Sequence, residues 1–160
     1  MEIDHQELEI LFSVLVATIL SGLVGYEREN RDKPAGLRTN MIVGGFSCLI
    51  VSLSLPLIDF VHNYEFQEAV KADPIRILQA LVVGISFIGA GTIIKQNNDK
   101  VKGLTTAATL LYCLGIGVAT ALHKYVIAIG ITLLILIINY SFSAVKGKIT
   151  GNSEENEGVK

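Results

Sequence analysis

Seven charged side chains crowd the stretch from Glu27 to Arg38: Glu27, Arg28, Glu29, Arg31, Asp32, Lys33 and Arg38. Guanidinium groups such as those of Arg28 and Arg38 can clamp an anion through paired N–H donors. Glu27 and Glu29 supply the opposite charge. Two other stretches carry residue types that do chemistry. "GISFIGAGT" ends on Gly89, Gly91 and Thr92, and "KGLTTAAT" carries Thr105 and Thr106. Closely spaced glycines can cradle a phosphate, but only in a strand-to-helix loop, and these lie inside an apolar run. Close helix contact is the simpler use for them. Paired threonines can cap a helix or hydrogen-bond across to another helix. No Ser/His/Asp arrangement and no nucleophile–base pair accompanies these clusters. His5, His62 and His123 are scattered, and Cys48 and Cys113 lie in apolar runs as small packing residues rather than metal ligands. The residues therefore predict no catalytic group, no cofactor and no metal site, and the chain reads as non-enzymatic.

The elements that must position these clusters are membrane spans. Half of the 160 residues are apolar and only 18% are charged, against about 25% in soluble domains. The net charge of −2 brings no basic excess for nucleic acid. Charges fall in clumps between long uncharged runs. A bilayer core about 30 Å thick takes roughly 20 apolar residues in a helix. Five runs fit or nearly fit: residues 10–26, 39–58, 75–94, 104–122 and 125–142. Arg76 is the one formal charge inside them, and none of the five has the polar face that a soluble bundle needs. The expected fold is an all-α integral membrane bundle of five helices. Residues 1–9 form an acidic outer tail, unlike the basic start of a signal peptide. Residues 143–160 read as a disordered tail on the opposite side.

Short loops rich in Lys and Arg stay in the cytoplasm. Arg28, Arg31, Lys33, Arg38, Lys95, Lys100, Lys102, Lys146, Lys148 and Lys160 fall on one side of the five crossings, and Lys71, Arg76 and Lys124 on the other. This places the N-terminus outside and the C-terminus inside. "KADPIRILQ" sets Asp73 as N-cap and Pro74 at the first helical position of the third span. Arg76 sits one turn in, where it snorkels outward toward Asp59 or Asp73. Small residues mark the packing faces. Thr18, Ser21, Gly22 and Gly25 line one stripe of the first span, and that stripe runs on to Arg28 and Glu29. Small residues on several faces of the third span suggest a central helix. The bulky fifth span belongs at the periphery, with Asn139 at its cytoplasmic interface. The charged hairpin, "GAGT" and "GLTT" then share one membrane edge. The hairpin reads as a solvated anchor around Arg31 to Lys33 and a candidate site made by its ends.

"GYERENRDKPAGLRTNMIVGGFSCL", "RILQALVVGISFIGAGTII" and "VKGLTTAATLLYCLGIGVA" resemble the MgtC/SapB family of bacterial membrane proteins, in the family's order. Motif residues carried over are Glu27, Arg28, Gly36, Leu37, Arg38, Thr39, Arg76, Gln79, Gly84, Gly89, Ala90, Gly91, Gly103, Leu104, Thr105, Thr106 and Ala107. The resemblance implies a multi-pass inner-membrane protein, in a short form without the cytoplasmic C-terminal domain that many members add. It implies a regulatory role in magnesium homeostasis, growth at low magnesium and survival inside host cells (virulence). The implied partner is a membrane complex such as the F-type ATP synthase, and the spans themselves add the lipid bilayer and a second copy of the chain as expected partners. The competing expectation is a small oligomeric carrier or channel for magnesium or another ion. An enzyme acting on lipid phosphates ranks last. The topology has a direct test: Lys33→Cys should react with a membrane-impermeant maleimide in inverted vesicles and not in intact cells.

Overall fold

The computed structural model describes residues 5–63, 73–95 and 101–154. Five helices run in order: α1 (His5–Glu29), α2 (Leu37–Asn63), α3 (Pro74–Gly91), α4 (Leu104–Ala121) and α5 (Tyr125–Glu154). Between α3 and α4 lies a small antiparallel ladder of β1 (Ile94–Lys95) and β2 (Val101–Lys102), which pairs Ile94 with Lys102. Four helices are long and apolar enough to cross a bilayer, and Tyr125–Tyr140 of α5 is a shorter apolar stretch. The all-α membrane bundle expected from the sequence is the fold that forms.

Three boundaries differ from the sequence reading. The third span stops at Gly91, short of residue 94, because Thr92 ends it and Ile94 enters the ladder. Thr92 donates its hydroxyl to Gly89 O at 2.7 Å, which occupies one of the open carbonyls of the last turn. At the other ends, α1 already includes the acidic residues from Glu7, and α5 continues to Glu154 through residues assigned to a disordered tail. No proline interrupts that continuation. Asp73 does cap α3: its Oδ1 accepts from Ile75 N at 2.9 Å, with Pro74 following. Arg76 lies exposed, 3.7 Å from Asp73. The alternative partner, Asp59, falls outside the described side chains.

The centre of the bundle is α4, which touches each of the other four helices. The prediction of a central third span is overturned. In α3 only Leu81, Ile85 and Gly89 are buried. Small residues permit close packing without requiring it, and a Cβ added at Gly84 or Gly91 would meet nothing. Contact with α4 is made at Gly89, where a Cβ would lie 3.1 Å from the Ala107 methyl. The fifth helix is peripheral, as its bulky residues predict. It buries one line, Ala128, Thr132 and Ile135, and leaves Val126, Ile129, Leu133 and Ile137 exposed.

Helices in lipid gain nothing from hiding apolar surface from each other, so they associate by close backbone approach. Here α1, α2 and α4 meet through Ser21, Gly44 and Gly117. A Cβ on Gly44 would collide with the Ser21 side chain, and one on Gly117 with the Gly44 carbonyl and, at 2.8 Å, with Ser47. Buried hydroxyls turn back on their own helices: Ser47 to Val43 O, Thr120 to Ile116 O and, on α5, Thr132 to Ala128 O, each at 2.7 Å. Their oxygens stay free to accept, and Ser21 Oγ at the seam itself makes no hydrogen bond among the described residues. Gly117→Leu should prevent assembly of a monodisperse detergent-solubilised protein, whereas Gly91→Leu should leave its thermal unfolding unchanged. Equal loss in both would place the packing seam elsewhere.

Candidate functional site

The α1–α2 hairpin divides its charges among different partners. Arg28 follows the small-residue stripe of α1 into the bundle, where it is 3% exposed. Its Nη2 donates to Thr106 Oγ1 at 2.5 Å and to Pro34 O at 3.4 Å, and its Nη1 reaches Thr109 Oγ1 at 3.4 Å. Thr109 in turn donates to Thr105 O at 2.8 Å. One guanidinium thus joins the end of α1, the hairpin and the first two turns of α4. Its Nε is buried with no hydrogen-bond partner.

Glu29 does not share the interior position expected for it. It is exposed, and its Oε2 accepts from Leu37 N at 2.7 Å, which caps the start of α2. A carboxylate suits the positive end of a helix. The buried face of α1 is centred on Ala17, Ser21 and Val24 rather than on the glycines, and Arg28 continues that line while Glu29 lies about 100° round from it.

Arg31 is not the solvated anchor that the sequence suggests. It is 2.6 Å from Glu27 and donates to Asn139 O at 3.2 Å, and its guanidinium lies 5.8 Å from the centre of the Tyr140 ring. Asn139 returns a bond to Glu27 at 2.9 Å. This closed group fastens the hairpin to α5. Lys33 and Arg38 remain exposed, and Arg38 makes no hydrogen bond or ion pair among the described residues, so Arg28 and Arg38 do not form a joint anion clamp. Thr39 is exposed as well.

Asn40 escapes sequence reasoning. Fully buried, it donates from Nδ2 to Ala35 O at 2.6 Å and Gly36 O at 2.9 Å, and its Oδ1 accepts from Cys113 Sγ at 3.1 Å. Ala35 has a positive φ of 54°, costly for a residue with a Cβ, and Asn40 holds its carbonyl in place. The available signal was an amide in the first turn of an apolar span. Cys113 and Cys48 are free and buried, as packing residues should be.

Of the other predicted residues, Thr105 lies exposed on the first turn of α4 and Thr106 is buried beneath it. Gly103 precedes them at φ 95°, with a Cβ there excluded by the Thr92 carbonyl. The "GAGT" and "GLTT" segments are thus in direct contact. At the opposite end of the bundle, His5, Glu9, Phe12, His123 and Tyr125 line a cavity of about 510 Å³. Tyr125 OH bridges His123 Nδ1 and Ser13 Oγ, 3.1 Å from each. The two histidines are far apart in sequence, which concealed this proximity. No group of three potential metal ligands occurs among the described residues.

The sequence matches the MgtC family over residues 14–148. The chain belongs to the MgtC family. It is 34% identical over 129 residues to Protein SapB of Bacillus subtilis (strain 168), covering 81% of this chain and 54% of that protein. Protein MgtC of Salmonella choleraesuis (strain SC-B67) is 34% identical over 150 residues, covering 94% of this chain and 59% of that protein. A protein of Escherichia coli (strain K12) named putative magnesium transporter YhiD is 36% identical over 126 residues, covering 76% and 54%. The MgtC-family chain described here spans about half the length of the curated relatives it matches. No solved structure matches it significantly. It is a multi-pass bacterial membrane protein.

Removing the guanidinium leaves the buried Thr106 hydroxyl without its donor, which costs about 1–3 kcal/mol. Arg28→Met should therefore unfold at a lower temperature than the parent protein. Arg28→Lys keeps the charge but loses the fork to Thr106, Thr109 and Pro34. It should be less stable by about 2 kcal/mol, the range for hydrogen bonds made by a charged group. Thermal unfolding in detergent micelles checks both.

Proposed function

We propose that this MgtC-family protein is a regulatory protein of the bacterial inner membrane. It serves adaptation to low magnesium and survival inside host cells, and it acts by contact with another membrane complex such as the F-type ATP synthase rather than as an enzyme. The observation that carries this reading is that no carboxylate is buried among the described residues. Ion carriers and pumps place acidic residues within the membrane. Among the described residues of this bundle the single buried charge is Arg28, a cation. The exposed part of the hairpin, Asp32 and Lys33, supplies the contact surface for a partner. The basic hairpin supports a cytoplasmic location for it. On α3, exposed Gln79 and Ser86, seven residues apart, give a lipid-facing helix a polar stripe, which favours pairing with a second copy.

A second reading is transport of magnesium or another ion by an oligomer. Its support is the name of the Escherichia coli relative and the buried hydroxyls Ser21, Ser47, Thr109 and Thr120. Growth of a deletion strain at limiting magnesium, with cellular ATP and membrane potential measured together, separates the two. Regulation of energy coupling raises ATP in the deletion strain, and complementation restores it. A magnesium deficit with unchanged ATP would overturn the regulatory reading in favour of transport.

A further inference from the structure

The helices α3 and α5 both pack on α4, and a groove of about 410 Å³ is left between them. Its floor is the outward side of α4, where Gly115 and Ala119 stand one turn apart. Leu78 and Val82 of α3 form one wall, and Ile127 of α5 forms the other. Pairs of small residues ordinarily mark helix contact. At this floor no helix makes it: a Cβ on Gly115 would meet only Ile131 Cδ1, at 3.8 Å. Bulky side chains on both sides keep another helix backbone off the floor, whereas a single flexible hydrocarbon chain passes between them. From Leu122 to Gly115 the floor runs about 10 Å along α4. That is about two-thirds of the ~15 Å hydrocarbon depth of one leaflet. Among the described residues every lining side chain is apolar except Lys124.

Lys124 stands at the end of this groove, where α4 turns into α5, and the backbone sets its position. His123 takes a positive φ of 55°. Lys124 N then donates to Ala119 O at 2.8 Å, and His123 N donates to Thr120 O at 2.9 Å. These two bonds close the end of α4, and α5 starts at once with Tyr125. The Lys124 side chain is exposed and makes no hydrogen bond or ion pair among the described residues. We propose that the groove binds one anionic phospholipid. An acyl chain lies along Gly115 and Ala119, and the headgroup phosphate pairs with Lys124. In lipid the chain is held by close packing rather than by escape from water. The ammonium then selects the charge of the headgroup. A zwitterionic lipid offers the same chain and phosphate but carries its own cation, so it gains less from Lys124. This inference is independent of whether the protein regulates or transports.

The test is native mass spectrometry of the purified full chain in an uncharged detergent. Phosphatidylglycerol and phosphatidylcholine with the same acyl chains are titrated in competition. One phosphatidylglycerol should be retained per chain, in about fivefold preference to phosphatidylcholine, as one basic residue near an anionic lipid implies. Lys124→Gln should retain the two lipids equally. Gly115→Leu fills the floor of the groove and should retain neither, and thermal unfolding of the same sample reports its fold. Glycerol 3-phosphate, a headgroup without a chain, should displace nothing. The proposal is overturned if the parent retains both lipids equally, if Lys124→Gln keeps the preference, or if glycerol 3-phosphate displaces the lipid. It is also overturned if folded Gly115→Leu retains phosphatidylglycerol as the parent does. Conversion of a dimer to a monomer in that variant, with lipid retention unchanged, would make the groove a seat for a second copy instead. Lys124 is exposed, so Lys124→Gln remains informative should Gly115→Leu fail to assemble.

Discussion

A guanidinium withdrawn from water must be surrounded by oxygen atoms, and the arrangement around Arg28 follows from that requirement. The oxygens come from Thr106 and Thr109 of α4 and from Pro34 of the hairpin. To supply them, the first turns of α4 must lie against the end of α1, and the hairpin must fold back over both. The close approach at Ser21, Gly44 and Gly117 makes this possible deeper in the bundle. Backbone proximity and polar satisfaction thus act on the same three helices, and α4 becomes central because it serves both.

The hairpin resolves its charge balance by geometry. Glu27 joins Arg31 to Asn139, and Glu29 caps α2. Neither carboxylate is hydrogen-bonded to Arg28, although the Glu27 charge acts on it. The result is an exposed turn with docked ends, stabilised on one side by a capped helix and on the other by α5. At the opposite membrane edge Tyr125 ties α5 to Ser13 of α1. The fifth helix is therefore fastened at both ends by polar contacts, while the surface between them faces outward and is apolar.

The buried hydroxyls are mostly spent on carbonyls one turn back in their own helices. Gln79 and Ser86 leave exposed polar groups on a helix that is otherwise apolar beyond Arg76.

By itself the sequence determined the number of helices, the cap at Asp73 and the family, and it sent Arg28 and Glu29 inward together, of which only Arg28 is buried. These depend on local quantities: run length, helical spacing and motif order. It also implied that α5 is peripheral, since bulky β-branched residues surround that helix. Tertiary structure decided the rest. Small residues on α3 allow close packing on several faces, but only contact shows that Gly89 is used and Gly91 is not. Arg31 is indistinguishable from Lys33 in a charged loop until α5 brings Asn139 and Tyr140 beside it. Asn40 gains its role from the Ala35 and Gly36 carbonyls and from Cys113, which lies on another helix. Each of these outcomes depends on which helix stands next to which, and helical periodicity carries a direction but no neighbour.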